Sequence, residues 1–316
     1  MSTPQALRAN EWRSVLALSG GVGGARLLHG LERVLEPGVL TAIVNTGDDF
    51  EHWGLCISPD LDTCMYTLAD LAPEERGWGL AEESFHALSM VKRYGGDDWF
   101  ALGDRDLATH LIRSEALRRG ETLTAVTRRL TTGLGIRSRI LPMADGPCRT
   151  IVHTTTHGPL PFQTWFVRHR AEPPVKAVRF EGAPPAAPGI LEAIAKADVV
   201  VIGPSNPYVS VDPIFSLPGV RDAVFARPVV AVSPIVHGAA VKGPLAKMIV
   251  DLAGEEPTPA SIVRHYGPKL RGIVVERGDE ASVRETRVLG ADTVMKTRAD
   301  SARLAMEVLS FAKELA

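Results

Sequence analysis

Short apolar runs and helical apolar repeats alternate along most of the chain. The first run, 14–18, ends at glycines, and Leu27, Leu28 and Leu31 then recur at the spacing of a helix face. Further apolar runs predict strands at 40–45, 140–143, 150–153, 163–167, 198–202, 228–232, 271–275 and 293–295. Because short, wholly apolar strands separated by helices are typical of parallel sheets covered on both faces, the pattern predicts an α/β fold.

The alternation is interrupted in the first half of the chain. Between about residues 63 and 135 charged residues are frequent and strand runs are scarce, so we predict a helical insertion there. Strand signals at about 140–185 predict a small, lid-like subdomain that contains β-structure. Residues 14–316 would then form a single domain with a Rossmann-like, mostly parallel sheet, preceded by an extension over residues 1–13.

Composition and charge limit the kinds of partner. The chain has 316 residues, of which 45% are hydrophobic, and a formal net charge of −2, so neither nucleic acid nor an anionic membrane is an expected partner. The N-terminus has no signal-peptide pattern, and no apolar run is long enough to span a membrane. The cysteines, Cys56, Cys64 and Cys148, include no CxxC pair, which favours a reducing cytoplasm.

A glycine-rich loop follows the first strand and opens the first helix. Gly20, Gly21, Gly23 and Gly24 would let the backbone approach a phosphate closely, and the helix adds its positive N-terminus. The loop lacks the lysine of a P-loop, and Arg26 stands where the last glycine of a dinucleotide fingerprint belongs. The loop therefore predicts a phosphate or nucleotide site, and the alternative is a tight turn without a ligand.

Four carboxylates follow the second strand within fifteen residues. Asp48 and Asp49 lie just past its carboxyl end, and Asp60 and Asp62 follow after Pro59. In open α/β sheets ligands bind at that edge, and Mg²⁺ prefers one or two carboxylates together with substrate phosphates. The spacing thus predicts metal or substrate chemistry. The alternative is that some of these residues cap helices, with Asp62 as an N-cap.

Three later segments offer polar groups to a ligand. After Gly103, a helix start presents Arg105, Thr109 and His110, although a capped helix with a surface ion pair would explain them equally well. Ser205 and Asn206 stand between two prolines after the strand at 198–202, where they could contact a base, ribose or phosphate. Ser233 occupies a similar position after the next strand.

The combination of these motifs, in this order, resembles the 2-phospho-L-lactate transferase family, which includes the bacterial phosphoenolpyruvate transferases of coenzyme F420 biosynthesis. The resemblance covers nearly all of residues 14–310. The segments that carry it are 19–26, 45–49, 58–63, 102–110, 203–207 and 233–235. The glycine loop reads like that of the bacterial branch, and Ala101 stands where archaeal members often carry a basic residue.

The resemblance implies a reaction, a cofactor and an assembly. A terminal hydroxyl of the deazaflavin Fo would attack the phosphorus that bears a small organic acid, and GMP would leave. Mg²⁺ would bind at Asp48 and Asp62, while Asp60 and Asp62 would lie near the metal and Fo. The glycine loop, Ser205 and Asn206 would hold the guanylyl side, and the protein would be a homodimer.

Two other functions remain open at this point. The related gluconeogenesis-factor family shares the fold and contains regulators that bind nucleotide sugars, but it would not need the run from Gly103 to His110. A nucleotide-dependent oxidoreductase would require a clean Gly-x-Gly-x-x-Gly and no acidic cluster beyond the second strand.

Overall fold

A computed structural model describes residues 12–315 of the protein, so most of the predicted extension over residues 1–13 lies outside the described residues. The strands of the described residues are β1 (Val15–Ser19), β2 (Leu40–Val44), β3 (Phe50–His52), β4 (Leu55–Ile57), β5 (Arg139–Pro142), β6 (Arg149–Thr154), β7 (Gly158–Pro161), β8 (Val175–Glu181), β9 (Val199–Ile202), β10 (Val229–Val232), β11 (Ile235–Val236), β12 (Ala239–Ala240), β13 (Gly272–Glu276) and β14 (Arg287–Ala291).

The helices surround these strands. They are α1 (Gly21–Val34), α2 (Pro59–Leu68), α3 (His86–Arg93), α4 (Asp106–Arg118), α5 (Leu123–Gly133), α6 (Ile190–Lys196), α7 (Asp212–Phe215), α8 (Val220–Phe225), α9 (Leu245–Ala253), α10 (Pro259–Tyr266) and α11 (Arg298–Leu315). Short π-helical turns cover Thr164–Arg168 and Pro207–Val211, and a 3₁₀ turn covers Glu280–Ser282. In the described residues no helix is long and apolar enough to cross a membrane.

The central sheet has seven strands in the order β14-β13-β10-β9-β1-β2-β5, and every pairing in it is parallel. If only the strands of this sheet are numbered along the chain, β1 is the first, β2 the second and β9 the fourth. The first strand then lies between the second and the fourth, which is the Rossmann order. The predicted α/β fold with a Rossmann-like sheet is confirmed. The chain direction across the sheet reverses between β1 and β9, and ligands of such sheets bind at this switch point.

Both faces of the sheet are covered. In β1, Leu16 and Leu18 belong to one apolar cluster, whereas Val15 and Ala17 belong to the cluster on the opposite face. This alternation follows from the two-residue period of a strand, so a wholly apolar strand requires helices on both sides. On the second face α1 packs so closely on α11 that a Cβ at Gly30 would lie 1.9 Å from the Ser301 carbonyl oxygen.

Two smaller structures branch from the sheet between β2 and β9. The chain from β2 to β5 contains the β3–β4 hairpin and helices α2 to α5. After β5 a three-stranded antiparallel sheet forms in the order β7-β6-β8. The predicted boundaries of an insertion at 63–135 and a subdomain at 140–185 stay predictions about domain organisation.

Two predicted strands are wrong. The run at 163–167 forms a π-helical turn because Trp165 packs into the core of the small structure, where its indole N–H donates to the Pro173 carbonyl at 2.9 Å. The run at 293–295 is not a strand, since the N–H and hydroxyl of Thr293 both donate to Glu276 Oε2 at 2.6 Å. The last strand of the sheet is β14, a few residues earlier.

Asp62 is not a helix cap. Helix α2 begins at Pro59, which suits the first helical position because it has no N–H to leave unsatisfied. Asp62 lies inside this helix, and its N–H donates to the Ser58 carbonyl at 2.9 Å. The Asp62 side chain is therefore available for a partner elsewhere in the molecule.

Candidate active site

Parallel pairing brings the predicted motifs to one edge of the sheet. Ser19 at the end of β1 pairs with Val44 at the end of β2, and Leu18 pairs with Ile202 of β9. The carboxyl ends of the three strands are thus level. The glycine loop, the acidic segment after β2 and the Ser205–Asn206 loop after β9 meet there because each directly follows one of these strands.

One asparagine side chain ties the acidic segments together. The Asn45 amide nitrogen donates to Asp60 Oδ2 at 2.8 Å and to Asp48 Oδ1 at 3.3 Å. Its amide oxygen accepts from the Gly47 N–H at 2.8 Å, which fixes the turn that carries Asp48. Asn45 is wholly buried, and it sets two carboxylates side by side without supplying a positive charge.

The glycine loop contacts this cluster directly. The Gly21 N–H donates to Asp60 Oδ1 at 2.6 Å, and the Gly20 N–H donates to Ser205 Oγ at 3.1 Å. These two amides are therefore occupied within the protein. The N–H groups of Val22 and Gly23, in the first turn of α1, have no intrahelical acceptor and no other acceptor within residues 12–315. They are the amides that can face an anion.

Asp49, which is partly buried, completes a group of three carboxylates with the buried Asp48 and Asp60. Its Oδ2 accepts from the Ser58 hydroxyl at 2.7 Å, whereas its Oδ1 is buried and has no hydrogen-bond partner. Within residues 12–315, no lysine or arginine forms an ion pair with any of these three carboxylates. The cluster thus brings three acidic groups together without an ion pair, although the nearby charge of Arg113 acts on Asp49.

Burial and mutual repulsion change the acidity of the cluster. Burial, followed by the charges of Asp60 and Asp49, raises the pKa of Asp48 well above its usual range. Burial likewise raises the pKa of Asp49 well above the usual range, and raises that of Asp60 to about 6. A carboxylate whose pKa is raised to about 6, as in Asp60, is a good proton acceptor near neutral pH.

Gln163 contacts the cluster, and the sequence pattern does not predict this. It precedes the π-helical turn of the small structure, is buried, and donates from its amide nitrogen to Asp48 Oδ2 at 2.8 Å. The two residues are 115 positions apart. The segment around Gln163 reads as a strand in the sequence, and nothing in that pattern indicates a contact with Asp48.

Asp62 lies beside the cluster but has its own cation. Both of its oxygens accept hydrogen bonds from the Arg113 guanidinium, at 3.0 Å for the Nη1–Oδ2 contact, and both side chains are buried. His110, one turn earlier on α4, has Nε2 at 3.2 Å from Asp106 Oδ2. A metal ion at Asp62 would therefore compete with Arg113, so that part of the metal prediction stays a prediction.

The remaining predicted residues lie in local contacts. Arg105 donates to the Ala81 carbonyl at 2.9 Å, and Thr109 accepts from the Tyr66 hydroxyl at 2.8 Å. The Arg26 guanidinium donates to the carbonyls of Glu74 and Met295. Further local bonds involve the Asn206 side chain with the Tyr208 N–H and the Ser233 hydroxyl with the Ile235 backbone. Their predicted contacts with substrate stay predictions.

The cluster fits Mg²⁺ by its chemistry. Its donors are all oxygen, which is what Mg²⁺ prefers, and Asp49 Oδ1 is a buried acceptor without a donor. The described residues contain no group of three or more His, Cys, Asp or Glu side chains arranged to hold a metal ion on their own. Asp48, with Asp49 or Asp60, would therefore supply one or two ligands, and phosphate and water the others.

Gly20→Ala tests how tightly the loop and the cluster fit. An added Cβ would lie 2.5 Å from Asp60 Oδ2 and 2.6 Å from Ser210 Cβ, so the Asp60 carboxylate would have to move. We expect kcat/KM to fall by roughly 10²-fold, since small displacements of reacting groups cost that much. Gly133→Ala, where a Cβ meets open space at the end of α5, should leave kcat/KM unchanged. Equal turnover in both variants would refute the assignment of this loop to the site.

Gln163→Met tests the hydrogen bond from the small structure to Asp48. This bond lowers the pKa of Asp48, so its loss should raise that pKa further. We expect the acidic limb of the pH profile of kcat/KM to move to higher pH, with most activity recovered at alkaline pH. A uniform loss of activity across the pH range would show that Gln163 acts only through packing.

Comparison with known proteins shows the family of the chain. The family described as 2-phospho-L-lactate transferase CofD matches residues 15–312. A phosphoenolpyruvate transferase from Streptomyces coelicolor is 42% identical over 315 residues, which covers 95% of this chain and 98% of that protein. A phosphoenolpyruvate transferase from Kitasatospora aureofaciens is 44% identical over 286 residues, covering 87% of this chain and 89% of that protein.

A solved structure shares the fold at low identity. The crystal structure of a member of the UPF0052 family from Bacillus halodurans has a TM-score of 0.64 and 17% identity, and covers 95% of this chain and 99% of that one. This likeness concerns the fold alone. The family match spans almost the whole described chain, and it includes every strand of the central sheet. The chain therefore belongs to the 2-phospho-L-lactate transferase CofD family.

Proposed function

We propose that the protein transfers a phospho-organic-acid group from a guanylyl-activated diphosphate donor to the terminal hydroxyl of the deazaflavin Fo, and releases GMP. The observation that carries the proposal is the meeting of Asp48, Asp49 and Asp60 with the glycine loop at the switch point of the sheet. A cluster of acidic groups next to amides that can face an anion suits a diphosphate bound with a divalent cation.

Mg²⁺ bound at Asp48 would neutralise charge that develops on the diphosphate. The reaction needs positioning more than covalent chemistry, because phosphoryl-type transfer has little for a nucleophilic side chain to do. The amides of Val22 and Gly23, in the first turn of α1, would hold phosphate oxygens. The donor would thus be held between backbone N–H groups and the acidic cluster.

Asp60 is the proposed proton acceptor. The acceptor hydroxyl forms the new O–P bond, the bond from phosphorus to the GMP oxygen breaks, and the hydroxyl proton passes to a carboxylate. Burial raises the pKa of Asp60 to about 6, which suits a base that works near neutral pH. Asp62, predicted for the same role, is paired through both oxygens with the charged Arg113 guanidinium, whereas the hydrogen-bond donors to Asp60 are neutral N–H groups.

An aromatic surface next to the cluster supports a flat acceptor. Phe50 directly follows Asp49, and its ring centroid lies 4.8 Å from that of Phe100 and 5.7 Å from that of Trp99. His52 and Trp53 stack at 4.8 Å in the same group. Several of these rings are only partly buried, so they offer faces on which a tricyclic ring can stack.

Phosphoenolpyruvyl is the group that the names of the relatives favour over 2-phospholactyl. The test is incubation of the protein with Fo, Mg²⁺ and each guanylylated acid, with the product identified by mass spectrometry. We expect Fo joined to the acid through a phosphodiester, GMP in equal amount, and a homodimer in solution. Tight binding of a nucleotide sugar without any turnover would favour the regulatory alternative instead.

A further inference from the structure

The small antiparallel structure contains an open, polar pocket that the proposed reaction does not use. Its volume is about 540 Å³. It lies between the turn that joins β6 to β7 and the segment that begins at the end of the π-helical turn Thr164–Arg168. The polar residues that line it are Thr156, His157, Arg168, His169, Arg170 and Glu172. The pocket is large enough for a small organic anion.

The charges in this pocket are unbalanced. Within the described residues 12–315, neither the Arg168 nor the Arg170 guanidinium forms an ion pair or a side-chain hydrogen bond. Both side chains are exposed, and a single residue separates them in the sequence. Glu172 is the single acidic residue of the lining, and it accepts from neither arginine. Two guanidiniums without carboxylate partners leave most of their donors free for a ligand.

Two imidazoles extend the same donor surface. The rings of His157 and His169 lie with their centroids 4.9 Å apart, although His157 belongs to the turn between β6 and β7 and His169 follows the turn Thr164–Arg168. His157 Nδ1 lies 2.8 Å from the Thr156 hydroxyl, which orients its ring. Imidazole N–H groups next to arginine are well suited to the oxygens of phosphate or carboxylate groups.

The pocket wall is held rigidly by the core beneath it. The fully buried Trp165 accepts from the Ala171 N–H at 2.9 Å through its carbonyl, and its indole N–H donates to the Pro173 carbonyl at 2.9 Å. Between them, Arg170 and Ala171 have φ values of 51° and 54°, which L-residues adopt at an energetic cost. A costly backbone that presents an unpaired arginine is typical of a binding site.

We propose that this pocket is a second binding site, for a small polyanion that carries phosphate or several carboxylates, recognised by Arg168, Arg170 and the two imidazoles. It is independent of the donor and the acceptor that we propose for the carboxylate cluster. The occupant would be a multiply charged anion, since two guanidiniums that line one pocket without acidic partners are best neutralised by a ligand of more than one charge.

The test is titration of the protein with pyrophosphate and, separately, with citrate, at constant ionic strength. Binding is followed by the NMR shifts of the His157 and His169 ring protons, which report on this pocket and not on the carboxylate cluster. The test variant is Arg168→Gln with Arg170→Gln, and the control is Arg128→Gln with Arg271→Gln, two exposed arginines outside the pocket.

We expect saturable shifts in the wild-type protein and in the control. In the test variant the dissociation constant should be at least about tenfold larger, because charged hydrogen bonds to the ligand are lost. Saturation by pyrophosphate alone would assign a phosphate ligand, and saturation by citrate alone a polycarboxylate. Shifts that grow linearly without saturation, or equal affinities in the two variants, would overturn the proposal. Because no turnover is measured, failure of the proposed transferase reaction would not affect this result.

Discussion

Asp48→Asn is expected to lower kcat at least about 10³-fold, in line with the loss of a group that acts on transition-state charge. Asp48 is buried, and its hydrogen-bond partners are the neutral amides of Asn45 and Gln163. Asparagine can keep one of these bonds, but it cannot supply the negative charge. Single-turnover kinetics with saturating donor would measure the chemical step directly.

The same substitution should not weaken the fold. The folded-state pKa of Asp48 is raised above its unfolded value, so the folded protein binds this proton more tightly and loses stability as pH rises above about 4. Asparagine removes that cost. We therefore expect the Tm of Asp48→Asn, measured without Mg²⁺, to equal or exceed the wild-type Tm at about pH 8. The difference should vanish below about pH 4, where both states are protonated.

The control for this prediction is Asp292→Asn. Asp292 directly follows the edge strand β14 and forms an exposed ion pair with Arg277. Loss of this ion pair should change neither kcat nor Tm noticeably. An Asp48→Asn protein that turns over at a near-normal rate would remove Asp48 from the reaction. A large fall in Tm would show that Asp48 has a structural role, in contradiction to the cluster of uncompensated charge described above.

Most of the fold follows from local sequence patterns. The mainly apolar runs that form β1, β2, β9, β10 and β13 are readable because a strand buried on both faces has few polar positions. The switch-point site is readable for the same reason, since its residues directly follow those strands. Periodicity and chain order therefore account for the sheet and for the position of the site.

The sequence could not reveal contacts that depend on packing between distant segments. Gln163 reaches Asp48 only because the π-helical turn is anchored by Trp165, and the run around it has the composition of a strand. The ion pair of Asp62 cannot be read from the sequence for a similar reason. Its spacing from Asp60 suggested a shared cation, whereas the fold brings Arg113 from α4, 51 residues away, onto both of its oxygens.

Asp62→Asn is accordingly expected to destabilise the protein by about 3–5 kcal/mol, the usual cost of breaking a buried ion pair. The side chains of Asp62 and Arg113 are only 7% and 1% exposed, so removal of the carboxylate leaves a buried guanidinium charge without its partner. We thus expect Asp48→Asn to keep or raise the stability of the protein and Asp62→Asn to lower it, although each substitution removes one carboxylate. Urea unfolding without Mg²⁺ measures the difference.

A double substitution separates the ion pair from other effects of Asp62. Asp62→Asn with Arg113→Met removes both charges, so it should recover much of the stability lost in the single variant, because a neutral pair has no uncompensated charge to bury. Glu115→Gln, which breaks an exposed pair with Arg119 on α4, should leave the urea midpoint almost unchanged. If Asp62→Asn instead kept the wild-type midpoint and lost affinity for Mg²⁺, Asp62 would be a metal ligand, and the pair with Arg113 would give way when the cation binds.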